Sequence, residues 1–314
     1  MNEHLARAIE LAERGRGTTH PNPVVGAVVV SDGEVVGESW HERKGEPHAE
    51  IRALEAAGER ARGATLYVTM EPCSHHGRTP PCTDAVITGG VGRVVAGSLD
   101  PNPKAGGGLD LLRAAGVEVE HVDVFEARAL NEAWRTWVAD RRPFVTYKAA
   151  MTLDGRLTLP HERWISGPES RRLVHELRAA SDAVGVGMGT VYADAPRLDA
   201  RDVDALRQPR RVAFGRGPLP DDSDLELRSG PLADELASLA GEGVQSVLLE
   251  GGPTIAAAFL REGLLDKLLV FVAPKLSGEG PHLFEGPISP RSLARFASTR
   301  VGEDVLLTAY VNEP

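Results

Sequence analysis

His48, Glu50, Cys73 and Cys82 are the residues of this 314-residue chain whose types and spacing speak most directly of chemistry. One histidine and two cysteines offer three nitrogen and sulfur ligands of the kind that hold zinc. Three protein ligands leave a fourth tetrahedral position for water, the pattern of a catalytic rather than a structural zinc. The metal would lower the pKa of that water and make hydroxide available at neutral pH. Glu50 follows His48 by two residues and need not bind metal. It is placed to take the proton of the water and deliver it to a ring nitrogen, then to a departing amine. His-x-Glu followed by Pro-Cys and a second Cys is the pattern of zinc-dependent hydrolytic deamination. One departure stands out: eight residues, not two, lie between Cys73 and Cys82. The chain has no other cysteine, and a metal site is expected here rather than a disulfide.

Alternating elements must position these groups. Leu5, Ala8, Ile9 and Ala12 recur at helical spacing and predict a helix over 3–14. Val24 to Val30 and Glu34 to Trp40 read as a strand hairpin about Ser31-Asp32-Gly33. A helix from His48 to Ala57 puts His48 and Glu50 in its first turn. A strand from Thr65 to Thr69 runs into Glu71-Pro72-Cys73, and Cys82 opens a helix through Thr88. Both thiolates then fall near helix N-termini, where the dipole favours an anion. A strand to Ala96, a helix over 109–115 and a strand over 117–121 complete an α/β half. The charged, proline-bearing run Ala139-Asp140-Arg141-Arg142-Pro143 reads as a linker, dividing 1–143 from 144–314.

The second half alternates again. A strand begins at Phe144, and Ser166-Gly167-Pro168-Glu169 predicts a capping box before a helix reaching Ala180. A glycine-studded strand over 182–188, a helix over 232–240 and a strand over 246–250 follow. Gly251-Gly252-Pro253-Thr254 is a turn before a helix over 255–262, and 267–273 and 305–311 are late strands. Gly185, Gly187 and Gly189 make no G-x-G-x-x-G fingerprint, so a Rossmann domain is not expected.

Composition narrows the class. At 42% hydrophobic and 25% charged, the chain is ordinary for a globular protein. No apolar run approaches the ~20 residues of a membrane span. Met1-Asn2-Glu3-His4-Leu5 lacks the features of a secretory signal, so a cytoplasmic location and no membrane partner are expected. A net charge of −10 argues against a duplex-binding surface and against a deaminase that edits nucleic acid. A non-catalytic zinc module would need a fourth protein ligand and would leave Glu50 without a role.

The insert between the cysteines, Pro72-Cys73-Ser74-His75-His76-Gly77-Arg78-Thr79-Pro80-Pro81-Cys82, resembles the bifunctional riboflavin-biosynthesis deaminase–reductases (RibD type). So do His20-Pro21-Asn22-Pro23-Val24-Val25-Gly26 and Asp100-Pro101-Asn102-Pro103. The second half is similar to that family at Lys148-Ala149-Ala150, Leu153-Asp154-Gly155-Arg156, Trp164-Ile165-Ser166, Gly189 to Asp194, Glu250 to Thr254 and Ala273-Pro274-Lys275-Leu276. The resemblance implies an α/β chain with a cytidine-deaminase-like N-terminal domain followed by a dihydrofolate-reductase-like C-terminal domain. It implies zinc-dependent deamination of 2,5-diamino-6-ribosylamino-4(3H)-pyrimidinone 5′-phosphate, a small-molecule substrate. It further implies NADPH-dependent reduction of the ribosyl group to ribityl, and a homo-oligomer, dimer or tetramer.

Residue by residue, His48, Cys73 and Cys82 match the zinc ligands and Glu50 the proton shuttle. Asn22 matches a pyrimidine contact, and His41, His75 and Arg78 the substrate-phosphate positions, where charge-assisted donors suit a dianion. Lys148, Trp164, Thr190, Asp194, Gly251, Gly252, Pro253 and Thr254 match the cofactor site. The Gly251-Gly252 turn would bring backbone to a phosphate at a helix N-terminus. Arg178, Leu198, Arg201 and Glu250 match the reductase substrate side.

The second half also departs from the family. Gly215 and Arg216 stand where Asp and Ser are usual, and Glu162 replaces a small hydroxyl residue before Trp164. The chain also runs quickly from Asp221-Asp222-Ser223-Asp224 into the helix at Leu232, where the family carries a further strand and helix. Two readings follow: a shortened but active reductase, with Arg216 meeting the cofactor 2′-phosphate, or a deaminase whose reductase domain has lost its activity and serves dimerisation.

Overall fold

The computed structural model describes residues 1–75 and 80–314. It divides into two compact units, Met1–Asp140 and Arg141–Glu313.

The first unit is built on a five-stranded sheet. Its strands are β1 (Gly26–Ser31), β2 (Glu34–Trp40), β3 (Thr65–Val68), β4 (Arg93–Ala96) and β5 (Glu118–His121), in the order β2-β1-β3-β4-β5. β1 is antiparallel to β2 and β3, and β3, β4 and β5 are parallel. Alternation along β1 decides the layering. Ala27 and Val29 face a core shared with α2 (Ala49–Ala57), α3 (Cys82–Thr88) and α4 (Gly108–Ala114). Val28 and Val30 face α1 (Glu3–Glu13). Helices therefore cover both faces, which is why β1 is buried almost throughout. At Gly26 the contact with α1 is backbone on backbone: an added Cβ would lie 2.0 Å from the Ala8 carbonyl oxygen. Two helices absent from the sequence expectations, α5 (Phe125–Ala129) and α6 (Glu132–Asp140), close the unit. α6 buries Trp134 and Val138 beside Met70.

The second unit carries an eight-stranded sheet. Its strands are β6 (Phe144–Thr152), β7 (Ala183–Gly187), β8 (Arg210–Phe214), β9 (Glu226–Arg228), β10 (Ser246–Leu249), β11 (Lys267–Ala273), β12 (Ala294–Val301) and β13 (Asp304–Tyr310). The order is β12-β13-β11-β6-β10-β7-β8-β9. The six strands from β11 to β9 in that order are parallel, and the β12–β13 hairpin extends the sheet antiparallel from β11. Around them pack α7 (Pro168–Ala180), α8 (Met188–Asp194), α9 (Leu232–Gly241) and α10 (Pro253–Arg261). The strand that the run after Asp221 left in doubt is present as the three-residue β9, parallel to β8.

The expected capping box is replaced by a long-range cap. Gly167 is the N-cap of α7 and makes no side-chain bond of its own, while Pro168 takes the first helical position. The Asp304 carboxylate instead accepts from the Gly167 N–H at 2.8 Å and the Ser170 hydroxyl at 2.6 Å. A buried carboxylate at the positive end of α7 satisfies donors that a local Ser–Glu pair would otherwise serve.

Candidate active sites

In the first unit the metal-type residues converge from two helix starts and a strand end. His48 is the N-cap of α2, in extended conformation, which turns its ring out of the helix. Cys73 lies in the loop after β3, and Cys82 is the first residue of α3. His48 Nδ1 is 3.2 Å from Cys82 Sγ and 3.7 Å from Cys73 Sγ, and the three ligand atoms lie within 4.8 Å of one another. Ligands about 2.0 Å (nitrogen) and 2.3 Å (sulfur) from a tetrahedral zinc stand roughly 3.5 Å apart, so the triangle fits that ion. The Cys82 backbone N–H points at Cys73 Sγ at 3.4 Å, a helix-start donor suited to a thiolate. A hydrogen bond from Cys82, countered by burial and reinforced by His48, holds the Cys73 thiol below the ordinary thiol range.

Glu50 sits in the first turn of α2, only 3% exposed. Burial pushes its carboxyl above the ordinary carboxylate range, and its Oε2 has no hydrogen-bond partner among the described residues. A buried carboxyl oxygen left unpaired beside a metal triangle is suited to exchange a proton with a bound reactant.

A cavity of about 440 Å³ opens over this cluster. Asn22, His41 and His75, all expected at the substrate, line it together with His48, Glu50 and Cys73. His41 is 3% exposed, its ring edge-on to His48 at 5.2 Å, and its Nε2 lacks a partner among the described residues. Burial lowers its pKa, which favours the neutral imidazole and suits a hydrogen bond to a ring more than an ion pair with phosphate. Arg78 lies outside the described residues. Lys44, Asp100 and Asn102 also line the cavity, and Trp134 and Trp137 of α6 supply an apolar wall. None of these five was assigned to the site from sequence. For Asp100 and Asn102 the signal was present in the motif Asp100-Pro101-Asn102-Pro103, whereas Lys44 sits in a polar loop of no particular pattern. Burial pushes the Asp100 carboxyl up to about 6.

The second unit gathers its polar residues toward the carboxyl ends of the parallel strands, where α/β sheets bind ligands. Lys148 on β6 places Nζ 2.9 Å from Glu250 Oε2, just past β10. Arg178 of α7 grips the same carboxylate through both oxygens, at 2.6 and 2.9 Å. Burial would raise the Glu250 carboxyl, but Lys148 and Arg178 outweigh it and hold it at about 2. These three line a cavity of about 850 Å³ with Trp164, Asp194 and Arg201. Arg163, Arg171 and Arg172 line it too, a cationic set that suits a ligand carrying several phosphates. The Arg163 and Arg171 guanidinium groups lie over the Trp164 ring at 5.0 and 5.3 Å. The unusual Glu162 has a structural partner: Lys275 Nζ binds its carboxylate at 2.7 Å and the Trp164 carbonyl at 3.2 Å, fixing the tryptophan backbone.

The remaining expected residues lie outside this cavity lining. Leu198 packs in the core at 2% exposure with φ +54, leaving only its main chain for a ligand. Thr190 Oγ1 accepts from the Gly252 N–H at 3.1 Å, joining α8 to the N-cap of α10. Gly251 is required by packing, since a Cβ there would lie 2.2 Å from Ile255 Cγ2. Pro253 is the first helical residue, and the Thr254 hydroxyl donates to Glu285 at 2.5 Å. Arg216 is exposed just beyond β8, between two glycines of positive φ.

Known proteins resemble the chain across both units. Residues 1–98 match the cytidine and deoxycytidylate deaminase zinc-binding region, and residues 143–307 match the RibD C-terminal domain. The riboflavin biosynthesis protein RibD of Aquifex aeolicus is 42% identical, over 97% of this chain and 96% of its own length. That of Escherichia coli is 42% identical over 88% of each. The structure of Acinetobacter baumannii RibD superposes with a TM-score of 0.84 at 36% identity, covering 98% of this chain and 97% of that one. The diaminohydroxyphosphoribosylaminopyrimidine deaminase/5-amino-6-(5-phosphoribosylamino)uracil reductase of Thermotoga maritima superposes at 0.82 and 35%, with the same coverage. Both halves are present, and nothing in these matches marks the second as inactive. The chain belongs to the RibD family of bifunctional riboflavin-biosynthesis enzymes, with a zinc-binding deaminase region followed by an NADPH-using reductase domain.

Proposed function

We propose that the first site hydrolyses the 2-amino group of 2,5-diamino-6-ribosylamino-4(3H)-pyrimidinone 5′-phosphate, with Glu50 as the proton shuttle. The observation that carries this reading is the unpaired Glu50 oxygen beside the His48–Cys73–Cys82 triangle. Zinc, when bound by those three residues, supplies the Lewis acidity that makes water a nucleophile at neutral pH. The Glu50 carboxylate takes a proton from the attacking water and passes it to the ring nitrogen next to C2. A second proton from the same water then leaves with the amine, so that C2–NH2 and water become C2=O and ammonia. Asn22 and neutral His41 orient the pyrimidine. Asp100, Asn102 and Lys44 form the polar wall for the ribose phosphate, with His75 and Arg78 completing the phosphate contacts.

The second site then reduces the ribosyl side chain of the deaminated product. NADPH, when bound, supplies the hydride that ends on C1′. Glu250 holds the Lys148 ammonium in place at 2.9 Å, and Lys148 gives a proton to the ring oxygen O4′ as the C1′–O4′ bond opens. Arg201 and Arg171 hold the substrate phosphate, and the main chain of Leu198 and the Arg178–Glu250 pair complete the substrate wall. Trp164, Thr190, Asp194 and the turn Gly251-Gly252-Pro253-Thr254 hold the cofactor, with Arg216 placed for its 2′-phosphate.

The enzyme acts in the cytoplasm as a homo-oligomer. The exposed edge strand β12, which leaves Phe296 65% exposed, supports self-association. A coupled assay with the diaminopyrimidine ribosyl phosphate, with and without NADPH, tests the catalytic reading. Ammonia release in both cases, with NADPH oxidation when it is present, is expected. Ammonia without NADPH oxidation would leave only the first step standing.

A further inference from the structure

One buried carboxylate in the first unit has no part in the chemistry above. Glu71 is 6% exposed and stands two residues before Cys73. It stands at the cavity wall, and among the described residues its carboxylate forms no ion pair and accepts only from backbone. Oε1 accepts from the Gly107 N–H at 3.0 Å and the Leu109 N–H at 3.1 Å, and Oε2 accepts from the Asp100 N–H at 3.2 Å. The three donors bracket the loop between β4 and α4, the loop that carries Asp100 and Asn102 to the cavity.

The same loop is held a second time on the other side of Cys73. The Ser74 hydroxyl donates to the carbonyls of Ala105 and Gly106, at 3.2 and 2.9 Å. Contact is close enough that a Cβ on Gly108 would lie 1.8 Å from the Pro72 carbonyl oxygen. Residues 71–74 are therefore a clamp around a zinc ligand, with its jaws on the substrate wall. Within the loop, Asp100 Oδ1 accepts from the Asn102 N–H at 2.8 Å, so fixing the Asp100 backbone also fixes Asn102.

We propose that Glu71 is a positioning residue for the deaminase: it locks the Asp100–Asn102 wall in register with the zinc-ligand turn, so that a substrate gripped at its ribose phosphate presents C2 to the catalytic centre. The inference rests on the reading of Asn102 as a substrate contact. A carboxylate is needed because three N–H groups converge on it. A Gln side chain keeps the shape but has one acceptor oxygen, and turns an N–H toward at least one of those donors.

The test uses the full-length zinc-loaded enzyme with Glu71→Gln, Asn102→Ala and the double variant. Zinc content, deamination kinetics and, as a control on the rest of the chain, NADPH oxidation with the deaminated intermediate are measured. Glu71→Gln is expected to raise the deaminase KM about tenfold with kcat changed much less, zinc stoichiometry unchanged and the reductase intact. The double variant is expected to raise the KM by less than the product of the two single effects, because both residues act through the same wall. Additive KM effects, loss of zinc in Glu71→Gln, or an unchanged KM in Glu71→Gln while Asn102→Ala raises it, would each overturn the proposal. An Asn102→Ala enzyme with normal KM would instead remove the substrate-wall reading on which it rests. Glu71→Asp, which keeps the charge on a shorter stem, should recover part of the KM if positioning is the role.

Discussion

Glu50 carries the heaviest demand placed on any single side chain here. It is buried, carries an oxygen with no partner among the described residues and lies two residues from His48 of the metal-type triangle. Glu50→Gln keeps the volume and removes the exchangeable proton, so deamination should fall by about 10²–10⁴-fold with zinc still bound. Metal analysis beside the kinetics checks this, and loss of zinc would reassign the residue to the ligand shell. Glu250 makes a different demand, on pH. A carboxyl depressed from 4.5 to about 2 stabilises the fold above pH 4.5, and that contribution is lost as the pH falls from 4.5 through 2. At about 1.4 kcal/mol per pH unit it amounts to about 3 kcal/mol. Acid unfolding of Glu250→Gln should therefore depend less on pH over that window than the wild type, and the variant should be less stable at pH 7, where Lys148 and Arg178 lose their counter-ion. At this scale the sequence was informative wherever chemistry demands a residue type, as at His48, Cys73 and Cys82. Glu71 and Lys44 could not be read there, because their roles come from loops that meet only in the folded chain.

The elements matter through the places where they touch backbone to backbone. α1 crosses β1 at Gly26, where a methyl group would meet the Ala8 carbonyl at 2.0 Å and the Ala12 nitrogen at 2.8 Å. Neither can yield without moving the helix. Gly26→Ala should destabilise the first unit by about 1–3 kcal/mol or more, lowering its melting temperature while the second unit melts as before. A calorimetric trace with two transitions would resolve this. Period-2 and period-3.6 patterns located β2, α3 and the start of β6 within the chain. They did not reveal α6, whose buried residues Trp134, Thr136 and Val138 fall at every second position rather than at helical spacing. Nor did they reveal β12, which is exposed along nearly its whole length and so has no hydrophobic alternation to read. The capping box at Ser166 failed for a related reason: the carboxylate that caps α7 is Asp304, more than 130 residues away.

At the scale of the whole molecule the two chemistries lie in separate compact units, each with its own sheet and its own polar cavity. Treatment with a zinc chelator should abolish ammonia release while NADPH oxidation with the deaminated intermediate continues, since no residue of the metal triangle belongs to the second unit. Loss of both activities together would mean that the second fold depends on the first. The junction itself has a consequence for how such a two-enzyme polypeptide can arise by gene fusion or be split again. Arg142 forms a two-pronged ion pair with Asp266, at 2.6 and 2.7 Å, and Asp266 is 1% exposed. The guanidinium just after the covalent seam is thus a fixed part of the reductase, although it reads as linker. A stand-alone reductase gene beginning at Phe144 would inherit a buried anion without its cation, whereas one beginning two codons earlier would not. The permissible breakpoint for recombination between the two genes is therefore narrower than the sequence of the junction suggests.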